Sequence, residues 1–154
     1  MKALIIGYGS IGKRHCEVLE TLVQIDEICL VTSQDVAGKV CYKNLEEVSN
    51  LDKFDYFVIA TPTFLHLENL KFIDERVSGK IILCEKPLFE KNYSFTPKNN
   101  KIFVGYVLRF HPLLQKLKEF LENEKILYLN ANCGQHLPSW RSGVYRKCYS
   151  SRKE

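Results

Sequence analysis

Ala3-Leu4-Ile5-Ile6-Gly7-Tyr8-Gly9-Ser10-Ile11-Gly12-Lys13-Arg14-His15 joins an apolar run to a helical pattern through three glycines in G-x-G-x-x-G spacing. That spacing at a strand-to-helix turn suits the pyrophosphate of a dinucleotide. The first glycine permits a tight turn, the second lets backbone approach the phosphates, and the third lets helix and strand pack closely. The unpaired N–H groups at the helix start, and the positive end of its dipole, then face the anion. Glycine clusters also make ordinary turns, so the motif gains its force from the strand before it and the helix after it.

Outward from the loop, residues 2–7 read as a first strand, apolar without a break from Ala3 to Ile6, as expected of a parallel strand buried on both faces. A helix is predicted over residues 10–23, with Ile11, His15, Val18, Leu19 and Leu22 on one face. Lys13 and Arg14 fall in its first turn, where the dipole disfavours cations; either an anion nearby offsets this or both side chains are simply solvated. A second strand covers residues 27–32. An NAD site usually places an acid about 20 residues beyond the glycines, at this strand's end, to hold the adenosine ribose. Here stand Thr32-Ser33-Gln34-Asp35. Hydroxyls accommodate a 2′-phosphate, which Arg14 or Lys39 would neutralise, so NADP is expected at least as readily as NAD. The alternative is that Thr32 and Ser33 are plain loop residues.

Residues 40–42 read as a third strand, and Asn44 as the cap of a short helix over 45–51. Residues 54–60 form a fourth strand that ends in Ala60-Thr61-Pro62-Thr63. Thr63 is placed to cap a helix reaching residue 77, with Gly79 beyond it. Residues 80–84 form a fifth strand ending in Glu85-Lys86-Pro87. This alternation predicts a doubly wound α/β parallel sheet with crossover helices. Ligands of such sheets bind outside the carboxyl ends of the strands. The glycine loop, Thr61-Pro62-Thr63 with His66, and Glu85-Lys86 all fall at those ends. Residues 89–100 read as a loop, and 102–108 as a sixth strand interrupted by Gly105. Arg109-Phe110-His111-Pro112 follows, Pro112 suiting a first helical turn. Leu113, Leu114, Leu117, Phe120 and Leu121 make one apolar helix face, and residues 126–131 read as a further strand.

Composition agrees with one soluble domain or slightly more. The chain has 154 residues, 45% hydrophobic and 26% charged, ordinary values for a globular protein. No apolar stretch approaches the ~20 residues of a membrane helix. The glycine loop interrupts the first apolar run too early for a signal peptide, so a cytoplasmic protein without membrane contact is expected. The six cysteines form no C-x-x-C pair and no zinc or haem spacing; they read as reduced thiols packing as small hydrophobes, and no metal site is expected. The net charge of +4 lies wholly in residues 141–154, which carry five basic residues against Glu154. A solvated end is the plainer reading of this tail than a nucleic-acid contact, and no nucleic-acid partner is expected.

With these motifs in hand, the chain resembles the glucose–fructose oxidoreductase / inositol dehydrogenase / MocA family of nicotinamide-dependent enzymes. The matching pieces are Gly7-Tyr8-Gly9-Ser10-Ile11-Gly12 with Lys13-Arg14-His15, Ala60-Thr61-Pro62-Thr63 with His66, Glu85-Lys86-Pro87, and the run from Gly105 to Pro112. Trp140-Arg141 and Tyr145-Arg146-Lys147 look like the approach to the family's substrate-domain site. The resemblance implies a Rossmann domain over residues 1–108 that binds NAD or NADP. It implies that the glycine loop holds the pyrophosphate and that Thr61, Pro62 and Thr63 line the nicotinamide-ribose side. Glu85 would contact that ribose, while Arg14, Thr32, Ser33, Ala60, His66 and Arg109 belong to the cofactor's surroundings. Lys86 would be the catalytic acid/base, aimed by a cis Lys86–Pro87 peptide, for oxidation of a sugar, sugar-nucleotide or polyol hydroxyl. The same resemblance leaves His66 open between cofactor contact and a packed helix residue, and Arg109 between the cofactor and a carboxylate.

The family's pattern continues into a mostly antiparallel second domain with a catalytic histidine, commonly D-x-x-x-H, and none of His15, His66, His111 or His136 fits that role. Residues 109–154 are therefore expected to be the truncated start of an incomplete α+β second domain. An incomplete sheet leaves an unpaired edge, so a homo-oligomer is expected, joined through residues 126–131. Two functions follow: an oxidoreductase of small sugars or polyols, or a catalytically incompetent dinucleotide-binding fragment or interaction module.

Overall fold

Register explains where this molecule can bind anything. In a computed structural model, which describes residues 1–134 and His136, six parallel strands form one sheet among the described residues. They are β1 (Lys2–Ile6), β2 (Glu27–Val31), β3 (Val40–Tyr42), β4 (Tyr56–Ile59), β5 (Ile81–Cys84) and β6 (Lys101–Val104), in the order β3-β2-β1-β4-β5-β6. The order reverses between β1 and β4, the switch point at which doubly wound sheets open a crevice. Ile6 pairs with Val31 on one side and Ile59 on the other; Ile59 pairs with Cys84, and Cys84 with Val104. Thr32, Gly7, Ala60, Glu85 and Gly105 therefore leave the sheet at one level, side by side.

The continuous apolar run of β1 reflects burial on both faces. Leu4 and Ile6 pack with Phe57, Ile59, Leu70 and Ile73 on one side, and Ala3 and Ile5 with Cys16, Leu19 and Val58 on the other. Each face takes alternate residues, and fully burying a side chain such as Phe57 contributes about 1.5–3 kcal/mol relative to leaving it exposed. Burial also pushes the Cys84 thiol up to about 12, in keeping with its place in the core.

Helix α1 (Ser10–Glu20) is rotated from its predicted face. Gly12, Cys16 and Leu19 are buried, while Ile11, Val18 and Leu22 are exposed. The cause is Gly12, whose lack of a Cβ lets it approach the Gly7 carbonyl and turns its own stripe to the sheet. The predicted helix over 45–51 is a single turn, although Asn44 Oδ1 does accept the Glu47 N–H at 3.0 Å, and a 3-10 turn follows at Leu51–Lys53. Thr63 begins a 3-10 turn, Thr63–Leu65, that leads into α2 (His66–Asp74). Strand β6 stops before Gly105, and a 3-10 turn covers Val107–Phe110.

Met1–Phe110 and His111–Glu154 are two compact units. In the second, α3 (Pro112–Phe120) starts as its sequence dictates: Pro112 fills the first turn and His111 Nδ1 accepts the Leu113 N–H at 3.3 Å. Its Leu113, Leu117 and Phe120 are exposed. Residues 126–131 form no strand, because a strand exists by pairing and no described residue pairs with them. Trp140-Arg141, Tyr145-Arg146-Lys147 and the basic tail lie outside the described residues.

Candidate functional site

The turns that leave the sheet together are keyed to their neighbours by backbone bonds. Gly7 N–H donates to Val31 O at 2.9 Å, Ala60 to Ile6 O at 2.8 Å, Glu85 to Ile59 O at 2.9 Å and Gly105 to Cys84 O at 2.8 Å. The glycine loop, Ala60-Thr61-Pro62-Thr63 and Glu85-Lys86-Pro87 thus form one row, and the convergence expected from strand ends is present.

Gly7 has φ +93°, and a Cβ there would lie 2.7 Å from the Ala60 carbonyl oxygen. A Cβ on Gly12 would overlap the Gly7 carbonyl oxygen, whereas one on Gly9 would meet nothing within 4 Å. Two glycines therefore serve close packing and the middle one keeps the loop tip open. Gly9 caps α1 without a side-chain bond, the first turn holds no acid, and the first helical bond is Lys13 N–H to Gly9 O. The N–H groups of Ser10, Ile11 and Gly12 lack helical partners at the positive end of the dipole. Open backbone, free donors and the absence of competing carboxylates fit a diphosphate.

Beside the loop, side chains from α2 fix the next two turns. Asn69 Nδ2 donates to Thr61 Oγ1 at 3.1 Å. His66 is 1% exposed. Its Nε2 lies 2.9 Å from Thr61 O, and its Nδ1 lies 3.1 Å from both Pro87 O and Leu88 O. It braces the Thr61 turn to the Pro87 turn from beneath. Thr63 is buried at the head of its 3-10 turn. The Lys86–Pro87 peptide is cis.

Glu85 is the most constrained charge in the row. Its Oε1 accepts from His15 Nε2 at 2.8 Å, and its Oε2 from the Lys86 backbone N–H at 3.2 Å. Gly105 lies against the same carboxylate, so close that a Cβ would come within 3.1 Å of Oε1. The His15 bond holds the Glu85 carboxyl below the usual carboxylate range, against burial, which pushes it up. Lys86 is exposed, and its ammonium makes no ion pair among the described residues.

The β2 end is built differently. Thr32 is buried and its Oγ1 accepts the Gln34 N–H at 3.1 Å, while Ser33 is exposed and Gln34 Nε2 reaches Tyr8 O at 3.0 Å. The cations expected to serve a 2′-phosphate are engaged elsewhere: Arg14 pairs with Glu17 at 3.1 Å and Lys39 with Glu20 at 2.6 Å. Lys43 stands there instead, 3.4 Å from Ser33 O and 3.2 Å from Asp35 Oδ1. A crevice at the β1–β4 switch is lined by Gly7, Val31, Lys43, Asn44, Thr61 and Asn69. Arg109 sits on the exposed 3-10 turn after β6.

The sequence reading missed four contributors: His15, Asn69, Gly105 and Lys43. Only His15 announced itself, as a polar residue on an apolar helix face; the others depend on register and on contacts between distant segments.

A family model described as "Oxidoreductase family, NAD-binding Rossmann fold" (GFO_IDH_MocA) matches residues 1–96. An inositol 2-dehydrogenase from Pseudarthrobacter chlorophenolicus is 28% identical over 145 residues, covering 82% of this chain and 42% of that protein. The apo scyllo-inositol dehydrogenase of Lactobacillus casei superposes with a TM-score of 0.65 at 17% identity, over 79% of this chain and 41% of that one. The WlbA dehydrogenase of Bordetella pertussis, solved with NADH and UDP-GlcNAcA, gives 0.62 at 19% identity over 79% and 41%. The chain thus spans about two fifths of the length of these relatives.

Proposed function

The chain belongs to the oxidoreductase family with an NAD-binding Rossmann fold, and from that premise we propose that it binds NAD or NADP and oxidises or reduces a hydroxyl of a sugar, sugar nucleotide or polyol. One observation carries this: the glycine loop, Thr61-Pro62-Thr63 and Glu85-Lys86 emerge side by side from β1, β4 and β5. The inositol dehydrogenases among the relatives support a polyol.

In this reading the free N–H groups of α1 bind the diphosphate. Thr61, Pro62 and Thr63 line the nicotinamide-ribose side, and Glu85 accepts a hydrogen bond from that ribose. A bound nicotinamide supplies the hydride acceptor or donor. Oxidation of an alcohol releases a hydride from carbon and a proton from oxygen, and Lys86 takes that proton; in reduction it returns one. Thr32 and Ser33 place no carboxylate against an adenosine 2′-phosphate, and Lys43 offers it a cation, so NADP is accepted at least as well as NAD. The protein works as a cytoplasmic homo-oligomer.

Parallel fluorescence titrations with NADH and NADPH test the binding, and nicotinamide absorbance with myo-inositol and simple sugars tests turnover. Absence of binding to both cofactors overturns the proposal. In a second reading the chain binds the dinucleotide without turnover. Saturable binding with no oxidation of any polyol would select it.

A further inference from the structure

Two segments distant in sequence meet at the Glu85 carboxylate: His15, 70 residues before it in the second turn of the helix that begins at the glycine loop, and Gly105, at the end of β6. An ionised carboxylate can only accept, so the proton of the 2.8 Å contact sits on His15 Nε2. The pair is enclosed, with side-chain exposures of 20% for His15 and 10% for Glu85. With Oε1 held by His15, Oε2 held by the Lys86 N–H, and Gly105 closing one side, the carboxylate has little freedom to turn. Every one of these contacts comes from the chain itself, and together they fix where the carboxylate's remaining lone pairs point.

We infer that His15 is a positioning residue: through Glu85 it ties the phosphate-binding helix to the strand end that carries Lys86, and so sets the grip on the nicotinamide half of the dinucleotide. This rests on the proposed contact of Glu85 with the nicotinamide ribose. His15 touches neither phosphate nor substrate in this role. Its removal leaves the α1 N–H groups intact but frees the carboxylate to rotate. The loss therefore falls on one half of the ligand and spares the other.

Titrations of the full chain separate the halves, using NADH and NADPH as whole ligands and 5′-AMP and adenosine 2′,5′-bisphosphate as their adenosine portions. His15→Ala should weaken the better of the two dinucleotides roughly tenfold, as expected for loss of one charge-assisted bond, with the adenosine ligands unchanged. His15→Gln, whose amide can still donate, should recover most of that loss. In Glu85→Gln, adding His15→Ala should weaken binding no further. Equal weakening of the dinucleotide and its adenosine portion would assign His15 a merely structural role and overturn the inference, as would unchanged dinucleotide affinity. If the unmodified chain binds neither NADH nor NADPH, the cofactor reading falls and takes this one with it.

Discussion

The two halves of the sheet, divided at the β1–β4 switch, hold their strand ends by different means. On the β4–β5–β6 side the polar contacts are enclosed: His66 is 1% exposed, and the His15–Glu85 pair 20% and 10%. On the β1–β2–β3 side the Lys43–Asp35 pair is 55% and 97% exposed. Enclosed bonds act in a low dielectric, resist salt, and are expensive to leave half-made. Exposed pairs are screened and worth little each. One side thus holds its geometry through enclosed bonds, and the other through exposed, weakly coupled charges.

The hardest test of that division is Lys86→Ala. If Lys86 is the acid/base proposed above, its removal should lower turnover by about 10²–10⁴-fold while NADH and NADPH titrations stay nearly unchanged. Comparable losses in turnover and binding would make Lys86 a cofactor ligand, and the β5 end would lose its claim to chemistry.

Gly12→Ala attacks the seam between the halves. Its Cβ would overlap the Gly7 carbonyl oxygen, which is backbone and cannot swing aside. A stability loss of about 2 kcal/mol or more is expected from such overpacking, read by urea unfolding, together with loss of measurable cofactor affinity. Retained affinity would show that α1 can shift without disturbing the loop.

His66→Ala should cost about 2–3 kcal/mol, because a buried ring N–H is lost from among the carbonyls of Thr61, Pro87 and Leu88. Because the brace lies beneath the site, the urea midpoint should move more than the cofactor affinity of the folded fraction. The reverse pattern would place His66 in contact with the ligand.

The sheet and the row of strand ends were legible in the sequence because both depend on local patterns: unbroken apolar runs for strands buried on two faces, and turn residues at their carboxyl ends. The start of α3 was legible for the same reason, in His111-Pro112. The rotation of α1 was not. A 3.6-residue period marks several overlapping stripes, and the choice among them is made by which residue can approach β1, which is Gly12. Nor were the cations near the β2 end, since Arg14 and Lys39 could not be seen to have Glu17 and Glu20 as partners. The His15–Glu85 contact spans 70 residues, and no local spacing encodes it. Residues 126–131 have strand composition but no partner among the described residues, so composition alone overreached.

Acid tests the enclosed pair itself, with a smaller expected effect. The His15 bond keeps Glu85 below the usual carboxylate range. Burial pushes Asp74 up, but the N–H groups of Lys98 and Asn99 and the Asn100 amide outweigh it and hold Asp74 low. A carboxyl depressed in the folded state stabilises above its unfolded value, about 4.3 for Glu. That stability is lost as pH falls from there through the folded value. Each such group should add up to about 1.4 kcal/mol per pH unit to the slope of stability in that window. Urea midpoints of Glu85→Gln should therefore fall less steeply below about pH 4.3 than those of the unmodified chain. Parallel curves would mean that the enclosed pair contributes nothing through its charge.

The smallest effect is expected at Lys43. Its ammonium is exposed and shared with Asp35, so its attraction for a 2′-phosphate is screened. Lys43→Ala should weaken NADPH about fivefold, close to 1 kcal/mol, and leave NADH unchanged. The difference should shrink as salt rises, because the Debye length falls to about 8 Å at physiological ionic strength. His15→Ala should show no such salt dependence, its partner being enclosed. If both variants respond to salt alike, the two halves of the sheet do not differ in kind. If Lys43→Ala weakens NADH as much as NADPH, Lys43 supports the crevice wall and does not read the 2′ position.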